Sequence, residues 1–246
     1  MKNHLSTAFF GTKDFNKFFE SMQGALNQVS PWGVFTGDNL FAFGRNLSFL
    51  DDAAFMDAFN RSAETPVEKA IIWRTYVLCW AARRALRIDG DFAECGCYKG
   101  TSARIVCDYV RLGETGRRFF LYDLFEHSAD MPHHGMPEHS AGLYSSVASR
   151  FADLANVRVI RGRVPDSFAE GAPERIAFLH VDMNNAEAEV AALDHLFDRV
   201  APGAAVVFDD YGWLAYRRQK DALDGFFAAR ELQVLELPTG QGLVIA

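Results

Sequence analysis

Three aspartates in the second half of the chain have the residue type and placement of a cation site. Asp182 follows the apolar run Ile176–Val181, and Asp209-Asp210 follow the apolar run Ala204 to Phe208. If these runs are parallel strands, the carboxylates meet at one sheet edge and repel each other unless a cation lies among them. Hard oxygen ligands favour Mg²⁺ or a similar divalent ion. The alternative is that one aspartate caps a helix and the others are solvated.

A glycine-bearing turn follows an earlier apolar stretch. It reads Glu94-Cys95-Gly96-Cys97-Tyr98-Lys99-Gly100, and Thr101-Ser102 begin the next helical pattern. Glycine lets the backbone pass close to a ligand at Gly96 and Gly100. The spacing Glu-x-Gly-x-x-x-Gly differs from the tighter glycine set of a pyrophosphate site, and it favours a nucleoside with an amino-acid tail over a dinucleotide. A plain strand-to-helix turn is the alternative.

A further carboxylate closes the next predicted strand. Asp123 lies 29 residues after Glu94 and is followed by Leu124. A carboxylate at this place can accept hydrogen bonds from both hydroxyls of a ribose, which supports the nucleoside interpretation of the glycine turn. A solvated strand-end aspartate is the simpler explanation.

An alternation of strands and helices must position these residues. Strands are predicted at Asp91–Cys95, Arg118–Tyr122, Val157–Arg161, Ile176–Val181 and Ala204–Phe208, with helical patterns near 101–112, 142–155, 186–200 and 213–229. Such alternation predicts parallel strands with helices on both faces. Leu232–Leu237 and Leu243–Ile245 flank a Pro- and Gly-containing turn and predict an antiparallel pair. The predicted fold class is α/β, a doubly wound, Rossmann-like sheet of about seven strands.

Residues 1–65 are predicted to form a Phe-rich helical segment before a domain at 66–246. Half of the 22 Phe lie before residue 60, among helical patterns near 14–29 and 51–63. Thr65-Pro66 then open a helix whose apolar pattern continues to about Ile88. The Phe density indicates a cap over a substrate pocket or an oligomerisation segment, so we expect a homo-oligomer. An ordinary packed extension explains the pattern equally well.

Composition excludes several classes of protein. The chain is 49% hydrophobic and 23% charged, which is typical of a globular protein. Its net charge of −7 gives nucleic acid no general attraction. No apolar run approaches the roughly 20 residues of a membrane span, and the N-terminus has no leader pattern, so we expect a soluble, cytoplasmic protein without a membrane partner. The scattered cysteines indicate reduced, buried thiols: Cys79, Cys95, Cys97 and Cys107.

The order and spacing of four segments resemble the macrocin O-methyltransferase (TylF/MycF) family. These segments are Ala93 to Gly100, Leu121 to Glu126, Phe178 to Asp182 and Val207 to Gly212, and the similarity covers about residues 90–230. The resemblance implies a class I S-adenosylmethionine (SAM) methyltransferase whose Mg²⁺ site chelates hydroxyls of a small molecule, usually a sugar of a secondary metabolite. It implies Asp182, Asp209 and Asp210 as metal ligands. It implies a cofactor site at Glu94, Gly96 and Asp123, to which we add their neighbours Tyr98, Gly100, Thr101, Ser102 and Leu124.

The chain departs from this family at the position of the base. The family commonly has Asp-x-Asp-x-Tyr, whereas this chain reads Asp182-Met183-Asn184-Asn185-Ala186. Catechol-type methyltransferases place a Lys where Asn185 stands. An amide cannot accept the proton. The candidates around the reacting atoms are therefore Asp182, Asn184 and histidines of a loop that could cover the site, namely His127, His133, His134 and His139, of which we favour His127 and His139.

Three functions remain open from the sequence. The first is metal-assisted, SAM-dependent O-methylation of a small molecule. The second is methyl transfer to a carboxylate or amine, which needs no protein base and therefore agrees with the two amides. The third is a SAM-binding assembly or regulatory protein without catalysis, with the Phe-rich segment as its interface.

Overall fold

The computed structural model describes residues 2–127, 131 and 135–246, and it divides the chain into two compact units. The first unit is Met1–Tyr76 and the second is Val77–Ala246. The division lies within the helix Ile72–Ala85, about a turn and a half after its start. His133 and His134 lie outside the described residues.

The first unit combines helices with a small sheet that sequence patterns did not predict. Its strands are β1 (His4–Leu5), β2 (Phe35–Gly37) and β3 (Leu40–Ala42), in the order β1-β2-β3. Its helices are α1 (Phe15–Leu26), α2 (Ala53–Ser62), α3 (Pro66–Ala70) and the start of α4 (Ile72–Ala85), with a 3₁₀ turn at Ser48–Asp51. The predicted helix from Pro66 to Ile88 is thus interrupted at Ile71.

Aromatic packing and one ion pair stabilise the first unit. Phe35, Phe49 and Phe55 are buried. The guanidinium of Arg74 donates two hydrogen bonds to the buried carboxylate of Asp38, at 2.6 and 2.8 Å. A buried charge is tolerated when it is paired in this bidentate way.

The second unit alternates strands and helices. Its strands are β4 (Asp91–Cys95), β5 (Phe119–Asp123), β6 (Val157–Arg161), β7 (Ile176–Val181), β8 (Val200–Phe208), β9 (Leu235–Glu236) and β10 (Gly242–Ile245). Its helices are the rest of α4, α5 (Thr101–Val110), α6 (Leu143–Arg150), α7 (Ala186–Leu196) and α8 (Arg217–Ala228). Short 3₁₀ turns lie at Leu112–Glu114, Asp166–Glu170, Phe197–Arg199 and Leu214–Tyr216.

The seven strands form one sheet in the order β6-β5-β4-β7-β8-β10-β9. The pairs from β6 to β8 are parallel, and β10 is antiparallel to both β8 and β9. The strand order reverses direction at β4, so the carboxyl ends of β4 and β7 flank the switch point where such sheets bind ligands. The predicted α/β class, with its C-terminal antiparallel strands, is confirmed.

Burial explains why the central strands were predictable and the edge strand was not. All six residues of β7 are buried, as expected for a strand covered on both faces. β8 begins at Val200 rather than Ala204, and β5 begins and ends one residue later than predicted. β9 has only two residues, both exposed, because it is the sheet edge. The four cysteines are buried thiols, as predicted. Among the described residues, no helix has the length and apolarity to cross a bilayer.

Candidate active site

A cleft opens at the carboxyl ends of β4, β5, β6 and β7. It encloses about 840 Å³ of space, part of which is open solvent. Of the predicted site residues, it is lined by Gly96, Tyr98, Asp123, Leu124, His139, Asp182 and Asn184. Met131, Met136 and Met183 add apolar surface to its wall. The topology thus brings half of the predicted site residues together in one cleft, and Asp209 and Asp210 are not among those that line it.

Gly96 joins the glycine turn to the aspartate at the end of β7. Its φ is +88°, and a Cβ at this position would lie 1.9 Å from the carbonyl oxygen of Asp182. The N–H of Asp182 donates to the carbonyl of Cys95 at 2.8 Å. Only glycine permits both this backbone conformation and this close approach. The first glycine is therefore required by packing against Asp182, in addition to any ligand contact.

The carboxylate of Asp123 organises the neighbouring turns. Its Oδ2 accepts a hydrogen bond from the N–H of Tyr98 at 2.7 Å, and its Oδ1 accepts one from the N–H of Phe125 at 2.6 Å. Each carboxylate oxygen has a second lone pair, so both can still accept a hydroxyl. Asp123 lines the cleft in the position predicted for a ribose contact.

The other predicted cofactor residues do not line the cleft. Gly100, Thr101 and Ser102 form the start of α5 and are not among the residues that line the cleft. Glu94 is buried, with its Oε1 2.7 Å from Nδ1 of His180, and is likewise not among the lining residues. Their contact with a cofactor stays a prediction.

The three aspartates converge as predicted. Asp182, Asp209 and Asp210 each present a carboxylate oxygen, and these oxygens lie within 4.8 Å of one another. All three residues are partly exposed. The donor set is all carboxylate, which matches the preference of Mg²⁺ and similar hard cations. Three negative groups this close together are more favourable with a cation present than without one.

A buried histidine lies behind these aspartates. His180 is held by Glu94, and its Nε2 lies 4.0 Å from Oδ1 of Asp209. Burial lowers the pKa of His180, but the hydrogen bond and charge of Glu94, together with Asp209 and Asp210, outweigh burial and raise the pKa overall. Oε2 of Glu94 and Nε2 of His180 are buried without a hydrogen-bond partner among the described residues. These orphaned atoms show a polar interior that faces the aspartates and fits a charged occupant.

The two asparagines after Asp182 have different structural tasks. Asn185 caps α7, because its Oδ1 accepts a hydrogen bond from the N–H of Ala188 at 2.9 Å. Asn184 lines the cleft in a left-handed conformation with φ of +54°. Its Oδ1 is buried and has no partner among the described residues. Asn184, at the position where the family commonly has a carboxylate, therefore lies at the cleft. The side chain of Asn185 instead caps a helix.

The described histidines of the loop pack together beside the cleft. The rings of His127 and His139 stack with centroids 6.1 Å apart, and His139 lines the cleft. Nδ1 of His139 accepts the N–H of Met136 at 3.0 Å, so the neutral ring carries its proton on Nε2. In this arrangement Nε2 cannot accept another proton, which disfavours His139 as the base.

Sequence patterns missed a buried acid beneath the cleft. Glu189 on α7 is buried, and its Oε1 accepts hydrogen bonds from Nε2 of Gln219 at 2.7 Å and from the N–H of Met183 at 3.4 Å. Burial raises the pKa of Glu189 to about 8, although both hydrogen bonds act in the opposite direction. The side chain thus ties the loop after Asp182 to α8. Its position on the apolar side of α7 was the only available signal.

Comparison with known proteins agrees with this fold. Residues 93–211, just under half of the chain, match a family described as "Methyltransferase domain". A tetracenomycin-C 4′-O-methyltransferase of Streptomyces olivaceus, which acts on an 8-demethyl-8-(2,3-dimethoxy-α-L-rhamnosyl) form, is 27% identical over 143 residues. That match covers 50% of this chain and 54% of the relative, so only about half of the relative's length is represented.

Two solved structures share the fold. The O-methyltransferase NovP superposes with a TM-score of 0.61 and 19% identity, over 77% of this chain and 87% of NovP. CalS11, a TDP-rhamnose 3′-O-methyltransferase of calicheamicin biosynthesis, superposes with a TM-score of 0.54 and 14% identity, over 97% of this chain and 96% of CalS11.

Residues 93–211 therefore match a methyltransferase domain, and the fold and the cleft agree with that match. The resemblance to the TylF/MycF type of O-methyltransferase, first indicated by the motifs, is confirmed.

Proposed function

We propose that the protein transfers a methyl group from SAM to a hydroxyl of a small molecule, with a divalent cation held by Asp182, Asp209 and Asp210. The observation that carries this proposal is the convergence of the three carboxylates within 4.8 Å beside a glycine turn. SAM supplies the electrophilic sulfonium methyl. A cation at the aspartates lowers the pKa of a hydroxyl bound to it.

The residues predicted to bind SAM support this proposal. Asp123 would accept hydrogen bonds from the ribose, and the backbone at Gly96 would lie against the amino-acid tail. Tyr98 contributes the N–H that fixes Asp123. Leu124 adds an apolar contact at the same strand end. These residues would bind and orient the methyl donor in the cleft that Asp182 also lines.

The acceptor class is inferred from the relatives and from the chemistry of the cleft. Two of the relatives have names that describe methylation of a rhamnose hydroxyl. Adjacent hydroxyls of a sugar suit a cation held by carboxylates, since they can chelate it. The methionine-rich wall provides an adaptable apolar surface for the rest of the molecule. We therefore propose a sugar or another hydroxylated secondary metabolite as the acceptor.

Removal of the proton from the acceptor hydroxyl is best explained without a dedicated protein base. Asn184 cannot accept it, Asn185 caps a helix, and His139 carries its neutral proton on Nε2. Asp182, Asp209 and Asp210 would hold the cation and orient the acceptor hydroxyl toward the methyl donor. Positioning of oxygen, methyl carbon and sulfur would then supply most of the remaining acceleration. The lack of a base at Asn184, Asn185 and His139 supports, as a second candidate, methyl transfer to a carboxylate, which is already ionised at neutral pH.

Turnover with and without metal tests the proposal. We expect the protein to convert SAM to its demethylated product with a rhamnose-containing acceptor, to stop in excess chelator and to recover with Mg²⁺. Asp182→Ala and Asp210→Ala should each act like chelation while SAM binding persists. Exposed Asp57→Asn is the control and should change nothing. Full turnover in chelator would remove the metal from the mechanism, and methylation of a carboxylate acceptor alone would favour the second candidate.

A further inference from the structure

A buried glutamine near the C-terminus contacts one of the three aspartates. Gln241 is fully buried in the turn between β9 and β10. Its Nε2 donates a hydrogen bond to Oδ1 of Asp209 at 3.1 Å. The hydroxyl of Thr239, also buried, donates to Oε1 of Gln241 at 3.0 Å. Because a carboxylate only accepts hydrogen bonds, the amide nitrogen must be the atom that faces Asp209, and the Thr239 hydroxyl then donates to the amide oxygen.

Backbone hydrogen bonds fix this turn against the loop that carries the aspartates. The N–H of Gly212 donates to the carbonyl of Gly240 at 2.8 Å, and the N–H of Leu237 donates to the carbonyl of Gln241 at 2.8 Å. On the other side, the N–H of Asp209 donates to the carbonyl of Val181 at 3.0 Å. The backbone is thus held on both sides of the contact. A side chain on so rigid a frame can orient its partner accurately.

We infer that Gln241, oriented by Thr239, is a positioning residue for the cation site. It restricts rotation of the Asp209 carboxylate and so holds this ligand in the geometry that a cation requires. Nε2 of His180 lies 4.0 Å from the same oxygen, so the interior presents polar groups to Asp209 from two sides. Groups that orient a metal ligand from behind change metal affinity by about 10- to 100-fold. The inference rests on the proposed metal site.

Metal binding, measured directly, tests the role of Gln241. Gln241→Met removes the donor and roughly preserves the buried volume. We expect calorimetric titration of the full chain with Mg²⁺ to give a dissociation constant about tenfold higher than wild type. The affinity for SAM should stay within about twofold, and catalytic loss should be recovered at high Mg²⁺. Gln233→Met is the matched control, because Gln233 is an exposed glutamine of the same C-terminal segment, and it should bind Mg²⁺ like wild type.

A second variant covers the case in which Gln241→Met does not fold. Thr239→Val keeps the shape of the side chain but frees the amide of Gln241 to rotate. We therefore expect a smaller loss of Mg²⁺ affinity than in Gln241→Met, about two- to fivefold. Unchanged Mg²⁺ affinity in a folded variant at either position, or an equal loss of SAM affinity, overturns the positioning role. Failure of the wild-type chain to bind Mg²⁺ instead overturns the proposed metal site itself.

Discussion

The carboxylate of Asp123 holds two backbone N–H groups at the edge of the cleft, which makes it a sensitive probe of cofactor binding. We expect Asp123→Asn to weaken SAM binding by about tenfold or more, because a hydrogen bond to a charged acceptor is worth about 1.5–3 kcal/mol. The amide of the Asp123→Asn variant would also place its N–H₂ group against the backbone N–H of Tyr98 or Phe125. A small loss of thermal stability should therefore accompany the loss of SAM affinity. Calorimetry with SAM measures the first effect, with Asp57→Asn as the control. A dissociation constant equal to wild type would show that Asp123 has only a structural role.

Glu189 gives the second prediction at the scale of single residues. Its pKa of about 8 in the folded chain lies above the ordinary value of 4.5, so the folded state holds a proton that the unfolded chain releases between these pH values. Stability therefore falls as the pH rises from about 4.5 to about 8. The glutamine of Glu189→Gln stays neutral, so this variant should not lose stability in the same way as the pH rises. Its Tm should rise relative to wild type from pH 5 to pH 8, as measured by scanning calorimetry with chelator present.

The control for Glu189 is its exposed neighbour on α7. Glu187→Gln removes a solvated carboxylate, so its Tm should follow the wild-type pH profile. Parallel profiles for Glu189→Gln and wild type would contradict a buried, neutral carboxyl in the folded chain.

The residues that the sequence predicted well are those whose neighbours form a recognisable local pattern. Asp182, Asp209 and Asp123 each follow an apolar run, so their place at strand ends could be predicted. Gln241 lies in a Pro- and Gly-containing turn that resembles any solvated turn, and Glu189 lies in a helix with other acids. Their roles depend on contacts with residues 30 or more positions away, which no local pattern encodes.

At the scale of elements, the sequence pattern predicted the bounds of three strands. β4 and β7 are short, buried runs between turn residues, whereas β6, at one edge of the sheet, has valines interleaved with arginine. The three strands of the first unit have two or three residues each, which is too short for a periodic signal. β1 also pairs with β2 about 30 residues away, whereas β2 and β3 form a local hairpin. The break between α3 and α4 at Ile71 likewise lies within a continuous apolar pattern.

The glycine turn after β4 gives a prediction about elements. In Gly96→Ala, the methyl group would collide with the carbonyl of Asp182, and φ of +88° is unfavourable for alanine. The turn and the end of β7 must then separate. We expect Tm to fall by several degrees and Mg²⁺ affinity to fall with it. Gly225→Ala, in the exposed part of α8 with no atom within 4 Å of its new methyl group, should instead be neutral or stabilising by up to about 1 kcal/mol. Equal Tm values for both variants would refute the packing argument.

At the scale of the whole molecule, the two units have different surfaces. In the second unit, the central strands β4 and β7 are almost fully buried, and polar residues gather at the cleft. In α1 of the first unit, Met22 is the only buried residue, and Phe15 and Phe18 are 44% and 38% exposed. The ring of Phe18 lies 5.1 Å from that of Phe9, and the rings of Phe15 and Phe19 are 6.0 Å apart. Exposed apolar surface of this extent is typical of an interaction site.

This surface on α1 leads to a prediction about assembly. We expect the chain to sediment as a dimer or larger oligomer, since covering a phenylalanine contributes about 1.5–3 kcal/mol. Phe15→Ser combined with Phe18→Ser should then shift sedimentation toward the monomer, with SAM affinity unchanged because the cofactor residues belong to the second unit. Gln23→Ser alters an exposed polar position of the same helix and should leave the oligomer intact. If wild type is already monomeric at micromolar concentrations, α1 does not join subunits, and a change in acceptor KM in the double variant would then indicate contact with substrate.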